Sequence, residues 1–302
     1  NFNKINFSKT AVIGLDVEDW YHLDYLSEKE KNIDISMLDG FDTIMQILNQ
    51  NNCKATLFVV GEIINLMKIK LLEATNNGYE IGCHGYTHKR PLLMTNIEFI
   101  DEITKTKKIL ENLINKKVEG FRAPCFSLDR DKLNLLFKND YNYDSSKMDF
   151  KHHKLYGKLD LEGFTEYKKN IHVLKESNKI EFQLPTTKFL NQTIPFSGGG
   201  YIRLFPLYFL KKFIKEKEVN QEPIFMYLHP FEFSKKNINF SKLSKKNYFR
   251  MNIGRKSLPS KFNSLIKFTN KNINELYYFK NQLYNKREID NITNTLTNYV
   301  GN

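Results

Sequence analysis

The 302-residue chain reads as an α/β protein built on a parallel sheet, a (β/α) barrel followed by helical appendages. Three observations lead there. Short apolar, β-branched and aromatic runs alternate with segments of helical periodicity, the pattern of βαβ units. The length suffices for one large barrel or two ordinary domains. Chemically useful side chains (Asp16 and Glu18, His84, Arg122, Asp144, His229) recur at the C-terminal ends of the apolar runs, the face on which such barrels assemble their active sites.

The candidate strands cover 11–19, 55–60, 79–84, 120–123, 141–145, 180–184 and 224–229. A first helix starts near Ser36 and carries Phe41, Ile44, Met45 and Leu48 on one face; a second covers 62–76. A third opens with Thr95 and Glu98, spaced as a capping box, and repeats Ile97, Ile100, Ile103, Leu110 and Leu113. After about Lys235 the composition shifts to Lys, Asn and Ser, which divides the chain into a barrel over 1–235 and a Lys/Asn-rich extension over 236–302. Leu258, Phe262, Leu265, Ile266, Phe268, Ile273, Leu276 and Leu283 make that extension helical and packed on the barrel, with a frayed tail from Asn285.

The 41% hydrophobic content is that of a globular protein. No apolar run reaches the roughly 18 residues that cross a bilayer, and no signal peptide is visible, although Asn1 is not a natural start. Cys53, Cys83 and Cys125 are an odd, sparse set that fits a reducing compartment. The formal charge of +12 suits an anionic surface, such as lipid headgroups or a phosphate-linked glycan. Without a Cys/His finger or an RNP-like motif, nucleic acid is a poor partner.

Asp16 and Glu18 are two apart at a strand end, so alternation points both carboxylates to one side; Asp19 follows at the turn. Adjacent carboxylates need a cation or a shared proton. One can ligate a metal while the other takes a proton from water. His84 and His88 are four apart, and Gly85 lets the loop curl so that both reach one ion. Two imidazoles and a carboxylate with open positions make a catalytic metal site, and such a metal makes water a nucleophile near neutral pH. The chain is therefore read as a hydrolase, with zinc as the metal and cobalt, nickel or iron(II) as alternatives.

Arg122 can hold a carboxylate by a bidentate bond and keep it ionised. The backbone N–H of Cys125 or Phe126, just after Pro124, can face a developing oxyanion. His229 is a candidate general acid for a leaving amine, and Asp144 can orient it. The glycine run 198–200 lacks the Lys-Ser/Thr of a phosphate loop; it reads as a substrate-side loop with Arg203 on a sugar or phosphate, and Trp20 and Tyr201 as aromatic lining. His22, His152, His153 and His172 have no evident partner in the sequence.

These motifs, in order, resemble a polysaccharide deacetylase of the NodB-homology type, in the branch whose first motif reads D-V-E-D (16–19) rather than T-F-D-D. The resemblance runs through Ala55-Thr56-Leu57-Phe58, His84-Gly85-Tyr86-Thr87-His88, Phe121-Arg122-Ala123-Pro124, Tyr143-Asp144-Ser145-Ser146, Gly198-Gly199-Gly200-Tyr201 and Leu228-His229-Pro230, over about 10–235. It implies a distorted barrel of seven strands and a divalent metal held by one carboxylate, His84 and His88. It implies hydrolysis of an N-acetyl, less often O-acetyl, group on a sugar, with Arg122 supporting the base and His229 as acid oriented by Asp144. Because a residue separates Asp16 from Glu18, Asp16 is favoured as base and Glu18 as ligand; the rival assignment is Glu18 as base and Asp19 as ligand. The expected substrate is a bacterial surface polysaccharide or its precursor; the missing signal and the basic charge point to a lipid-linked precursor met in the cytoplasm at the inner membrane face, with peripheral contact to anionic lipid. A small-molecule amidohydrolase and an inactive glycan-binding protein are the competing readings.

Overall fold

The computed structural model describes residues 10–150, 155–236, 243–269, 272–274, 276, 280, 281, 283 and 284. The strands are β1 (Thr10–Val17), β2 (Thr56–Val59), β3 (Glu80–Cys83), β4 (Gly120–Phe121), β5 (Tyr143–Asp144), β6 (Phe164–Lys168), β7 (Ile171–Leu174), β8 (Lys179–Phe182), β9 (Thr187–Phe189), β10 (Gln192–Ile194), β11 (Ile224–Leu228) and β12 (Asn272–Asn274). The helices are α1 (Gly40–Gln50), α2 (Ile64–Asn76), α3 (Asn96–Ile114), α4 (Arg130–Lys138), α5 (Gly199–Leu204), α6 (Leu207–Val219), α7 (Pro230–Phe233), α8 (Lys245–Asn252) and α9 (Leu258–Thr269).

Seven strands pair in parallel in the order β11-β1-β2-β3-β4-β5-β8 and form the wall of a distorted (β/α)7 barrel. Between β8 and β11 the wall is closed by side chains: Phe182 and Phe225 pack with ring centroids 5.8 Å apart. Strand β1 shows how the sequence sets the two layers. Ala11, Ile13, Leu15 and Val17 face outward into the core beneath the helices. Val12 faces inward with Phe58, Tyr143, Ile180, Phe182 and Phe225. The same alternation carries Gly14 and Asp16 to the inside of the barrel. Burying each of these large apolar side chains contributes about 1.5–3 kcal/mol.

Helix α3 begins with the expected capping box: the Glu98 N–H donates to Thr95 Oγ1 (3.2 Å) and the Thr95 N–H to Glu98 Oε2 (2.7 Å). Its buried face is Phe99, Ile103, Thr106, Leu110 and Ile114, whereas Ile97 of the expected stripe is exposed. Helix α1 starts at Gly40 rather than near Ser36, because the Asp19 carboxylate holds the Met37 N–H (2.8 Å) before the helix begins.

The antiparallel strands β7 and β6 extend the sheet beyond β8, and β9–β10 form a separate hairpin. None of the four appears among the expected strands, because their side chains alternate with polar and charged residues. After residue 236, α8 and α9 are helical as expected, but Ile273 lies in β12, which pairs with the start of β1 below β2. The expected tail from Asn285 lies outside the described residues, as do His152 and His153. No helix among the described residues is long and apolar enough to cross a membrane.

Candidate metal-dependent active site

The polar ends of the strands converge at one mouth of the barrel. Glu18 follows β1, and its carboxylate is buried against His84, which follows β3, and His88. The intervening loop turns back through positive φ at Gly85 (74°) and at His88 (60°), a conformation that costs a non-glycine residue about 1 kcal/mol or more and that aims the His88 ring inward. His84 Nδ1 lies 2.7 Å from the Arg122 carbonyl, which can only accept, so Nδ1 carries the hydrogen and Nε2 faces Glu18 Oε2 at 3.7 Å. His88 Nε2 contacts the same oxygen.

One ligand atom from each of Glu18, His84 and His88 lies within 4.8 Å of the others. Glu18 Oε2 is buried and takes no hydrogen bond. An orphaned carboxylate oxygen facing two imidazole nitrogens is the donor set a divalent cation requires, so these residues fit a metal. Burial by itself pushes the Glu18 carboxyl up, but His88, His84 and His229 outweigh it and hold the group well below the usual carboxylate range.

Asp16 stands beside this trio. Its Oδ1 accepts from Arg122 Nη1 at 2.8 Å. The expected bidentate pair is a single bond, because Arg122 Nε and Nη2 are taken by the Ser145 carbonyl (3.1 Å) and hydroxyl (3.0 Å). Arg122 fits inside the barrel because position 14 is glycine: a Cβ there would overlap the guanidinium. His229, after β11, points Nε2 at Asp16 Oδ2 (3.8 Å) and Glu18 Oε1 (3.7 Å).

Three expected placements are corrected. Asp144 does not reach His229; it accepts from Ser146 Oγ (2.7 Å) and faces the buried Glu181 on the adjacent strand. The carboxylate at His229 is Glu232, whose Oε2 lies 3.1 Å from Nδ1. Asp19 is not in the metal cluster, because its Oδ1 accepts the Trp20 and Met37 amides. Trp20 is buried in a small core with its indole N–H donating to the Ile35 carbonyl (2.8 Å), and so cannot line a groove. Arg203 is among the residues that line the cavity, with its Nε bonded to Glu232 (2.9 Å).

A cavity of about 460 Å³ lies over the trio, within the range of small-ligand sites. Tyr25, Tyr156, Tyr201, Phe249, Arg250 and Ile253 are among its walls, so the expected Tyr201 lines it while the segment after residue 236 supplies three residues not foreseen. Cys125 and Phe126 line it too, both at positive φ (54° and 52°). The Phe126 N–H donates to the Ala123 carbonyl (2.9 Å), which leaves the Cys125 amide as the candidate oxyanion donor. Cys125 Sγ donates to Asp24 Oδ2 (2.9 Å), and that oxygen is 3.8 Å from His88 Nδ1.

His22 is buried with its ring 5.7 Å from that of His88; its Nδ1 accepts from the Asp19 N–H (2.9 Å), and burial, with the nearby His88, pulls its pKa down to about 4. His172 bonds Gln183 (2.9 Å), away from the cavity. Glu232, Asp24 and Gly14 were missed in the sequence. For Glu232 a signal existed: His229-x-x-Glu232 opens α7 as a capping-box pattern, with the His229 N–H donating to Glu232 (3.0 Å).

Residues 32–143 match the family model described as "Polysaccharide deacetylase", and residues 145–277 match one described as "Domain of unknown function (DUF3473)". A peptidoglycan deacetylase of Helicobacter pylori is 28% identical over 109 residues, 36% of this chain and 37% of that protein. A peptidoglycan-N-acetylglucosamine deacetylase of Bacillus cereus is 32% identical over 81 residues, 27% of this chain and 30% of that protein. The chain thus spans about a third of the length of the curated relatives it matches. A solved Mycobacterium smegmatis structure assigned to polysaccharide deacetylases superposes with a TM-score of 0.59 at 15% identity, over 92% of this chain and 91% of that one, and shares the fold.

Proposed function

We propose that this chain, whose residues 32–143 match the polysaccharide deacetylase family model, hydrolyses an N-acetyl group on a sugar of a bacterial surface polysaccharide or its lipid-linked precursor. Glu18, His84 and His88 would hold the divalent cation, zinc or one of cobalt, nickel and iron(II). Such a cation, when bound, lowers the pKa of water and polarises a carbonyl.

The chain's own residues carry the proton traffic. Asp16, oriented by its bond from Arg122, takes the proton of the attacking water. The water oxygen bonds to the acetamide carbon, and the Cys125 N–H donates to the oxygen that becomes negative. His229 delivers a proton from Nε2 to the sugar nitrogen as the C–N bond breaks, and acetate and a free amine leave. Glu232 beside His229 outweighs the effect of burial and raises its pKa to about 9, so the imidazole carries the proton it must give at neutral pH.

One observation carries the reading: Asp16 and His229 face each other at 3.8 Å directly beside the Glu18–His84–His88 trio, a base and an acid on one cation site. The +12 charge supports an anionic, lipid-phosphate-linked substrate met at the inner membrane face.

The test is acetate release by the zinc-loaded protein from N-acetylglucosamine oligomers, peptidoglycan fragments and a diphosphate-lipid-linked N-acetyl sugar. Wild type releases acetate, and Asp16→Asn loses about 10²–10⁴-fold in kcat with its metal content unchanged. Activity retained in that variant would transfer the base role to Glu18. Release from acetylated small amines alone would favour a small-molecule amidohydrolase, and metal binding with no release at all an inactive binding protein.

A further inference from the structure

A fixed line of polar contacts runs from the segment after residue 236 to the cavity. Helix α8 ends at Asn252, and the last carbonyls of a helix have no partner within it. Arg203 supplies one: its Nη1 donates to the carbonyls of Arg250 (3.0 Å), Met251 (3.2 Å) and Ile253 (3.2 Å). A cation at a helix C-terminus is also favoured by the helix dipole. The same guanidinium donates through Nε to Glu232 Oε1 at 2.9 Å. Glu232 Oε2 in turn accepts from the His229 backbone N–H (3.0 Å) and faces Nδ1 (3.1 Å). Glycine at 199 leaves the room, since a Cβ there would overlap the Glu232 carboxylate. Every side chain in the line except the His229 ring is less than a tenth exposed.

We propose that Glu232 and Arg203 are positioning residues for His229, and that the C-terminal end of α8 is part of the mounting of the acid. The proposal rests on the reading of His229 as the proton donor. A carboxylate on Nδ1 fixes the ring so that Nε2 presents the transferable proton to the cavity. A buried carboxylate needs a partner charge, and Arg203 provides it. Arginine serves where lysine would not, because its planar fork reaches Glu232 and the helix end at once. The segment after residue 236 therefore contributes to chemistry as well as to the cavity wall.

The experiment compares an N-acetylglucosamine oligomer, whose amine must be protonated to leave, with 4-nitrophenyl acetate, whose phenolate leaves without a proton. Zinc-loaded wild type, His229→Gln, Glu232→Gln and Arg203→Lys are measured on both. His229→Gln is expected to lose about 10²-fold or more on the sugar amide and far less on the ester. Glu232→Gln shows the same split, and Arg203→Lys a smaller one of about tenfold. If His229→Gln shows the split and Glu232→Gln loses equally on both substrates, or on neither, the positioning role is overturned while the acid stands. If His229→Gln shows no split, the acid reading fails and the positioning role with it. A second readout needs no variant to fold: long-range ¹H–¹⁵N spectra of zinc-loaded wild type are expected to show His229 Nδ1 protonated, and an unprotonated Nδ1 would contradict the proposal.

Discussion

At the scale of single residues, the site depends on what is small as much as on what is charged. Gly14 lies on the inward face of β1, directly under the Arg122 guanidinium that holds Asp16. Gly14→Ala forces that guanidinium away from its carboxylate and from Ser145. The variant is expected to lose about 1–3 kcal/mol of stability by overpacking, and acetate release falls more steeply than the folded fraction. Denaturant unfolding beside kcat measures both, and an unchanged kcat would show that Arg122 need not touch Asp16. This glycine carries no chemical signal in the sequence, whereas Asp16 and Glu18 were legible as two carboxylates at the end of an apolar run, although Glu18 lies in the turn after β1, its N–H donating to the Asp16 carbonyl (3.0 Å). The role of Glu232 was not legible, since a Glu three residues into a helix reads first as a cap, and only the fold shows Arg203 behind it.

At the scale of elements, the parallel strands were legible and the antiparallel ones were not. Strand β11 is buried at every residue and its sequence is apolar throughout. Strand β6 is half-buried or exposed at every residue, so no apolar run marks it. Strands β4 and β5 each pair over two residues, shorter than their apolar runs suggest, because the chain leaves the wall at once to present Arg122 and the Ser145–Ser146 turn. That turn is held by Asp144 of β5 and Glu181 of β8. Glu181 Oε1 accepts the Ser146 (3.1 Å) and Lys147 (2.8 Å) amides. Burial, then the charge of Asp144, pushes Glu181 well above the usual range, so the two carboxyls share a proton. The folded pKa exceeds the unfolded value of about 4.3, hence this pair contributes stability at low pH and loses it as pH rises above that value. Glu181→Gln, which keeps a donor toward Asp144, is expected to flatten that decline. Its Tm should match wild type near pH 5 and exceed it near pH 8, and a lower Tm at both would show that the pair is not protonated.

At the scale of the whole molecule, the cavity is assembled from parts far apart in the sequence. Asp16, Glu18, His84, His88 and His229 come from strand ends spread over two hundred residues, and Phe249 and Arg250 from the segment beyond. The first group follows from one rule, that barrel strands deliver functional residues at one end, and it could be read before the fold was known. The second could not, because a Lys- and Asn-rich segment gives no sign of which face of the barrel it covers. On the proposed function, Glu18, His84 and His88 hold a metal on which deacetylation depends. This dependence is tested most directly by stripping the protein with a chelator and titrating zinc back while acetate release from an N-acetylglucosamine oligomer is followed, with His84→Ala in parallel. Wild type is expected to regain activity in step with one equivalent of zinc, and His84→Ala neither to retain zinc nor to release acetate. Full activity in the stripped protein, or in His84→Ala, would contradict it.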